Sequence, residues 1–156
     1  MLSYEGIGIS GVCLVNGYER KQTAYGPGVA IQDIDGLHRA LCRWLLYRRE
    51  RLTGAELAFL REELDLTEEM IATLIGKSSA VVRRWEDKEH AQIDRTADRL
   101  VRLLCLESLF PGESGLKLLE EISTPNKRVA LSGPIYFART NGDWQKTEKE
   151  ELSSPQ

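Results

Sequence analysis

From Thr53 to about Leu109, apolar residues recur three and four positions apart and are broken by short polar turns, the pattern of successive amphipathic helices. Thr53 is placed to cap "GAELAFLREEL", where Leu57, Leu60 and Leu64 share a face. After "DL", Thr67 caps "EEMIATLI", which carries Glu68 and Glu69 at the positive end of the helix dipole. Gly76 stops that helix and Ser78 opens the next, which continues through Glu86. A last helix covers about Arg95 to Ser108, with Ala97, Leu100, Leu103 and Leu104 inward.

The flanks read differently. From Ser3 to about Ile31 the chain is rich in glycine and in β-branched or aromatic residues. "GVCLV" and "YERKQTAY", on either side of Asn16-Gly17, predict a hairpin, "YGPG" a turn, and "VAIQDI" a further strand. Asp33 or Asp35 then caps a helix from about Gly36 to Arg49, with Leu37, Leu41, Trp44 and Leu45 at helical spacing. Beyond Pro111-Gly112, "GLKLLEEI" fits a short helical turn. "RVALSGPIYFA" and "DWQKT", around "RTNGD", predict a hairpin able to complete the N-terminal sheet, with a frayed tail after Lys146. The expected class is α+β: a small β-region plus helix over residues 1–50, a four- to five-helix domain over 51–110, and a C-terminal extension with a β-hairpin over 111–156.

Composition narrows what such a chain does. With 42% hydrophobic and 29% charged residues, the 156-residue chain has the make-up of an ordinary globular protein. No run approaches 18 consecutive apolar residues, so no spanning helix and no membrane partner are expected. "MLSYEGIGISG" lacks the basic start of a signal peptide, and a cytoplasmic location is expected. The net charge of -3 gives the molecule no overall attraction to nucleic acid, so any such contact must come from a local patch. Cys13, Cys42 and Cys105 contain no C-x-x-C pair, which argues for reduced, mostly buried thiols rather than zinc or disulfides. His38, beside Asp33 and Asp35, has no second ligand at metal spacing and reads as structural. "GPG" at Gly26 to Gly28 is no phosphate loop, and no nucleophile carries a local signature. Neither a metal, another cofactor nor enzymatic activity is expected.

The spacing inside the helical zone is more specific. Two short helices joined by a tight glycine turn, the second opening on serine, match a helix-turn-helix unit. Val82 and Trp85, flanked by Val81, form a stripe expected to pack in the core on Ile71, Leu74 and Ile75. Ser79, Ala80 and Arg83 fall on the opposite side. Small residues there let the helix approach base edges, and Arg83 can donate two hydrogen bonds to guanine O6 and N7. Thr67, Lys77, Ser78, Arg84, Lys88 and Arg95 lie where a phosphate backbone could pass. Arg84 has the alternative of bridging Glu86 or Glu62. Arg95, Arg99 and Arg102, interleaved with Asp94 and Asp98, fit a charge-paired solvated face as well as they fit backbone contacts.

"LREELDLTEEMIATLIGKSSAVVRRWEDKE", Leu60 to Glu89, resembles the helix-turn-helix of the XRE, or Cro/C1-type, regulators. The matching features are Leu64, Leu66-Thr67, Ala72, Gly76, Ser78 and "RWE" from Arg84 to Glu86. "LVNGYERKQTAYGPGVAIQDIDGLHRAL", with "LTGAELAFLREEL" after it, is similar to the MqsA-like antitoxins of type II toxin-antitoxin pairs. That resemblance implies a DNA-binding autorepressor with a cognate toxin as possible partner. It carries no metal over, because the paired cysteines of the zinc-binding members are missing, and it leaves the N-terminal half as a metal-free dimerisation or partner-binding region. Where the XRE pattern usually has glutamine after Thr67, this chain has Glu68. Either binding is weak, or Glu68 accepts from a cytosine amino group, or it turns aside to a neighbouring base such as Lys77.

Together these readings imply a sequence-specific regulator of double-stranded DNA, of prokaryotic or phage type. A homodimer would set two recognition helices about 34 Å apart on a near-palindromic operator. The rival expectation is a toxin-neutralising protein-interaction module whose DNA binding is weak or lost, favoured by Glu68 and the acidic balance.

Overall fold

The computed structural model describes residues 1–124 and 133–148. Among them the chain forms six helices and two small sheets, an α+β arrangement. In chain order these are β1 (Leu2–Ser3), β2 (Val12–Leu14), β3 (Tyr18–Thr23), β4 (Gly26–Ile31), α1 (Ile34–Tyr47), α2 (Gly54–Glu63), α3 (Glu68–Ile75), α4 (Ser79–Asp87), α5 (Arg95–Leu109), α6 (Gly115–Ser123), β5 (Ile135–Thr140) and β6 (Asp143–Thr147). The chain divides into two compact units, residues 1–41 with 131–156 and residues 42–130. The boundary therefore falls inside α1 rather than near residue 50, and the C-terminal strands belong with the N-terminal ones.

In the first unit, β1, β2, β5 and β6 form one sheet in that order, and β3 and β4 form a second. β2 runs parallel to β5, with Val12 opposite Ile135 and Leu14 opposite Phe137. Parallel strands need a long crossover; here the whole helical unit lies between them in sequence. The C-terminal hairpin turns at Asn141 and Gly142, both at positive φ, as a tight two-residue Asn-Gly turn requires. Arg128 to Ser132, expected at the start of its first strand, lie outside the described residues, as does the tail from residue 149.

The expected hairpin about Asn16-Gly17 does not form: β2 and β3 lie in different sheets, and the turn that closes β3 onto β4 is at Ala24-Tyr25. Asn16 instead clamps β5, its Oδ1 accepting from the Arg139 amide at 2.6 Å and its Nδ2 donating to the Arg139 carbonyl at 3.3 Å. Gly17, at φ 75°, is where Trp144 crosses; a Cβ there would come within 2.6 Å of the indole. Trp144 Nε1 donates to the Gln32 carbonyl at 2.8 Å, which satisfies its one donor on burial.

Among the described residues six helix N-termini are capped by the side chain of a neighbouring residue, four of them as the sequence anticipated. Asp33 accepts from the Gly36 amide, Thr53 from Glu56, Thr67 from Met70 and Ser78 from Val81. Asp94 does the same for Ala97 at the start of α5, and Ser114 for Lys117 at the start of α6. The helical unit packs on Leu45, Leu46, Leu52, Leu57, Leu60, Ile71, Val82, Ile93 and Val101, all essentially without solvent exposure.

The buried face of α5 departs from expectation. Ala97 is buried, but Leu100 is exposed and Leu103 and Leu104 are half-buried, whereas Val101, Cys105 and Leu106 face inward with Asp98 and Arg102. Neither Asp98 nor Arg102 is on a solvated face: both are 0% exposed. Arg102 donates to the Leu45, Leu46, Arg48 and Glu50 carbonyls, so it closes the unsatisfied C-terminal end of α1. Asp98 accepts from Arg102 Nε at 3.2 Å and from the Leu52 amide at 2.7 Å. Desolvation pulls the Arg102 guanidinium down from its ordinary range, with the Asp98 carboxylate opposing that shift.

Candidate nucleic-acid interface

α3 and α4 are joined by Gly76, Lys77 and Ser78. Gly76 ends α3 in the left-handed region at φ 73° and ψ 32°, and the Lys77 amide donates back to the Ala72 carbonyl at 2.9 Å. A Cβ on Gly76 would meet nothing within 4 Å, so backbone conformation rather than space selects glycine there. Gly54 is the opposite case. Its Cβ would lie 1.8 Å from the Trp85 carbonyl oxygen, so α2 meets α4 backbone to backbone.

Trp85, expected in the core, is only half-buried. Val82 is the fully buried anchor of α4. On α3, Ile71, Ala72 and Ile75 are buried, while Leu74, expected under the α4 stripe, is 57% exposed beside an exposed Met70.

The tie between α2 and the end of α4 is ionic. Arg61 donates through Nε to Glu86 Oε2 at 2.9 Å, through Nη2 to Glu86 Oε1 at 2.8 Å, and through Nη1 to the Leu66 carbonyl at 3.0 Å. One guanidinium thus holds both α4 and the α2–α3 turn, and its hydrogen bonds to the Glu86 carboxylate raise its affinity for its proton still further. Nothing in the local spacing signalled this pair, whose partners lie 25 residues apart. Glu86 is taken by Arg61 and not by Arg84.

On the outer side of α4, Ala80, Arg83 and Arg84 are exposed and Ser79 is half-buried. Lys77 and Lys88 are exposed at the two ends of the helix. Lys77, Arg84, Lys88 and Arg95 form no ion pair among the described residues. Thr67 and Ser78 each accept one capping hydrogen bond through the hydroxyl oxygen at a helix N-terminus, which leaves the hydroxyl hydrogen available to donate. Arg95 opens α5 and lines a separate groove with Arg49, Arg51 and Arg99.

Glu68 points at Arg83: its Oε2 lies 3.7 Å from Arg83 Nε, and Arg83 is 60% exposed. Of the three roles open to Glu68 from sequence, the free chain thus has it turned aside, and toward Arg83 rather than Lys77. The same Oε2 is shielded from solvent and receives no hydrogen bond.

In the first unit, Tyr4 Oη and His38 Nε2 are 2.7 Å apart, a structural contact for the histidine. Cys42 and Cys105 are buried thiols and Cys13 is half-buried; burial pushes the Cys105 thiol up to about 12. Among the described residues no helix is long and apolar enough to cross a membrane. Comparison with protein-family models, curated proteins and solved structures finds no match for this chain.

Proposed function

We propose that the protein is a sequence-specific regulator of double-stranded DNA in which α3 and α4 act as an XRE-type helix-turn-helix and α4 enters the major groove. The observation that carries this reading is the division of α4. Val82 is buried on one side, while Ala80, Arg83 and Arg84 are open on the other, along a helix fixed at its start by Ser78 and near its end by Arg61. Fixing both ends limits the wandering of the outer side chains, which bidentate base contacts require.

In this reading Arg83 addresses guanine, and Ser79 and Ala80 permit close approach. Lys77, Arg84 and Lys88, with the Thr67 and Ser78 hydroxyls, meet phosphates. The closest functional analogy is an MqsA-like autorepressor without zinc, binding as a homodimer to a near-palindromic operator and occluding it.

A second reading, protein interaction with weak DNA binding, is favoured by the Glu68–Arg83 ion pair and by exposed Met70 and Leu74 on α3. Selection of bound duplexes from a random pool, followed by a salt titration, separates the two. A DNA regulator enriches a near-palindromic motif. Its affinity falls with salt at a log–log slope of roughly -5 if a dimer neutralises about six phosphates. No enriched motif and a flat slope would leave only the interaction reading.

A further inference from the structure

The segment between α1 and α2, the start of α5 and the end of α6 enclose a groove of about 420 Å³. Four guanidinium groups line it, those of Arg49, Arg51, Arg95 and Arg99. Gln92, Ile122 and Ser123 complete the wall, so the lining is cationic and polar with a single aliphatic side chain. No carboxylate is among these lining residues.

The acidic neighbours in sequence are each engaged, one of them by a lining arginine. Asp98 is fully buried on Arg102 and the Leu52 amide, with Arg99 Nη1 at 3.2 Å from its Oδ2. Asp94 caps α5 through the Ala97 amide, and Glu50 faces Arg48 at 3.7 Å. Arg99 is held by Asp98, and Arg51 by donation to the Ile93 carbonyl at 3.3 Å. Guanidinium groups gathered at one concavity with a low-dielectric wall attract an anion more strongly than the same groups dispersed over a surface.

The groove is distinct from the outer face of α4. Gln92 pairs with Thr53, and Gly54, next to Thr53, packs on the Trp85 carbonyl. This places Gln92 on the side of the last turn of α4, whereas Ser79 and Ala80 lie on its first turn, about 8–9 Å from Trp85 along the helix axis.

We infer that this groove binds a free, multiply charged phosphate anion of the pyrophosphate or triphosphate class. Guanidinium forks match phosphate oxygens two at a time, and four of them suit a chain of phosphates better than one phosphate. A cavity of this size also accommodates the rest of a small phosphorylated molecule.

The test is calorimetric titration of the full chain, without DNA and at low salt, with phosphate, pyrophosphate and tripolyphosphate. One saturable site is expected, tightening at least tenfold from phosphate to tripolyphosphate. Arg95→Gln and Arg51→Gln should each weaken tripolyphosphate at least tenfold, Arg51→Lys less, and Arg20→Gln on β3 not at all, with far-UV circular dichroism confirming that each variant is folded. Absence of a saturable site overturns the inference, as does equal weakening by Arg20→Gln, the mark of nonspecific screening. It is equally overturned if Arg95→Gln leaves tripolyphosphate affinity unchanged but weakens duplex DNA, since the groove would then serve the DNA backbone. Because DNA is absent from the main titration, failure to find an operator leaves its result untouched.

Discussion

Arg83, the α4 arginine proposed above to read a base, faces Glu68 on the neighbouring helix at 3.7 Å, and that glutamate's near oxygen is shielded yet receives no hydrogen bond. Their spatial relation gives the glutamate a role that repulsion of phosphate alone does not. A pair this exposed is worth under about 1 kcal/mol, so it biases Arg83 without locking it. A guanine offering two acceptors competes readily for the guanidinium.

Glu68→Gln is therefore expected to tighten DNA binding, by about threefold to tenfold, since it removes both the competitor for Arg83 and a negative charge near phosphate. Titration of wild type and variant against the selected duplex measures this. Unchanged or weaker binding would contradict the competition.

Arg83→Ala should weaken the selected operator by about 1–3 kcal/mol and relax preference at one base position, while leaving random duplex nearly unaffected. Equal loss on both duplexes would make Arg83 a phosphate contact. Arg84→Ala should show that uniform loss instead, with a shallower salt slope.

The Arg61–Glu86 bridge should matter to folding as much as to binding. Removing either side chain strands a partly buried charge, and about 2–3 kcal/mol of stability is expected to go in urea unfolding. The double variant Arg61→Met with Glu86→Leu should lose less than the two single losses combined. Additive losses would mean the two groups act independently.

At the end of α1, Arg102→Met leaves four carbonyls and the Asp98 carboxylate without their shared donor. Destabilisation of about 3–5 kcal/mol is expected, and the double variant with Asp98→Asn should recover part of it. Thermal unfolding of the three variants checks this; a loss under about 1 kcal/mol would show that water replaces the guanidinium.

Alkaline pH should expose the buried thiol. Burial pushes the Cys105 thiol up to about 12 from its ordinary 9.0, so below pH 9.0 both states keep the proton and no penalty arises. Between 9.0 and about 12 the unfolded chain ionises while the folded one does not, and stability falls as pH rises. Comparing urea midpoints at pH 8 and pH 10.5, wild type should lose more than Cys105→Ala. An equal drop would place the alkaline sensitivity in other groups.

Local order was legible along the chain wherever a signal spans one turn of helix or one tight turn. The caps Thr53, Thr67 and Ser78, the stop at Gly76, and the Asn141-Gly142 turn each depend on hydrogen bonds or φ values set within about five residues, so their residue types announce them. What the sequence could not decide was pairing across distance. Asn16-Gly17 carries hairpin chemistry, yet β2 finds a better partner in β5 from the far end of the chain. Asp98 and Arg102 carry the pattern of a wet helix face, yet four carbonyls, two in the last turn of α1 and two just beyond it, make burial of that arginine favourable. The outer residues of α4 were readable from helical period alone. That Glu68 reaches Arg83, that Arg61 holds Glu86, and that four arginines from separate segments share one groove are products of the tertiary structure, because charge acts through space and is indifferent to separation along the chain.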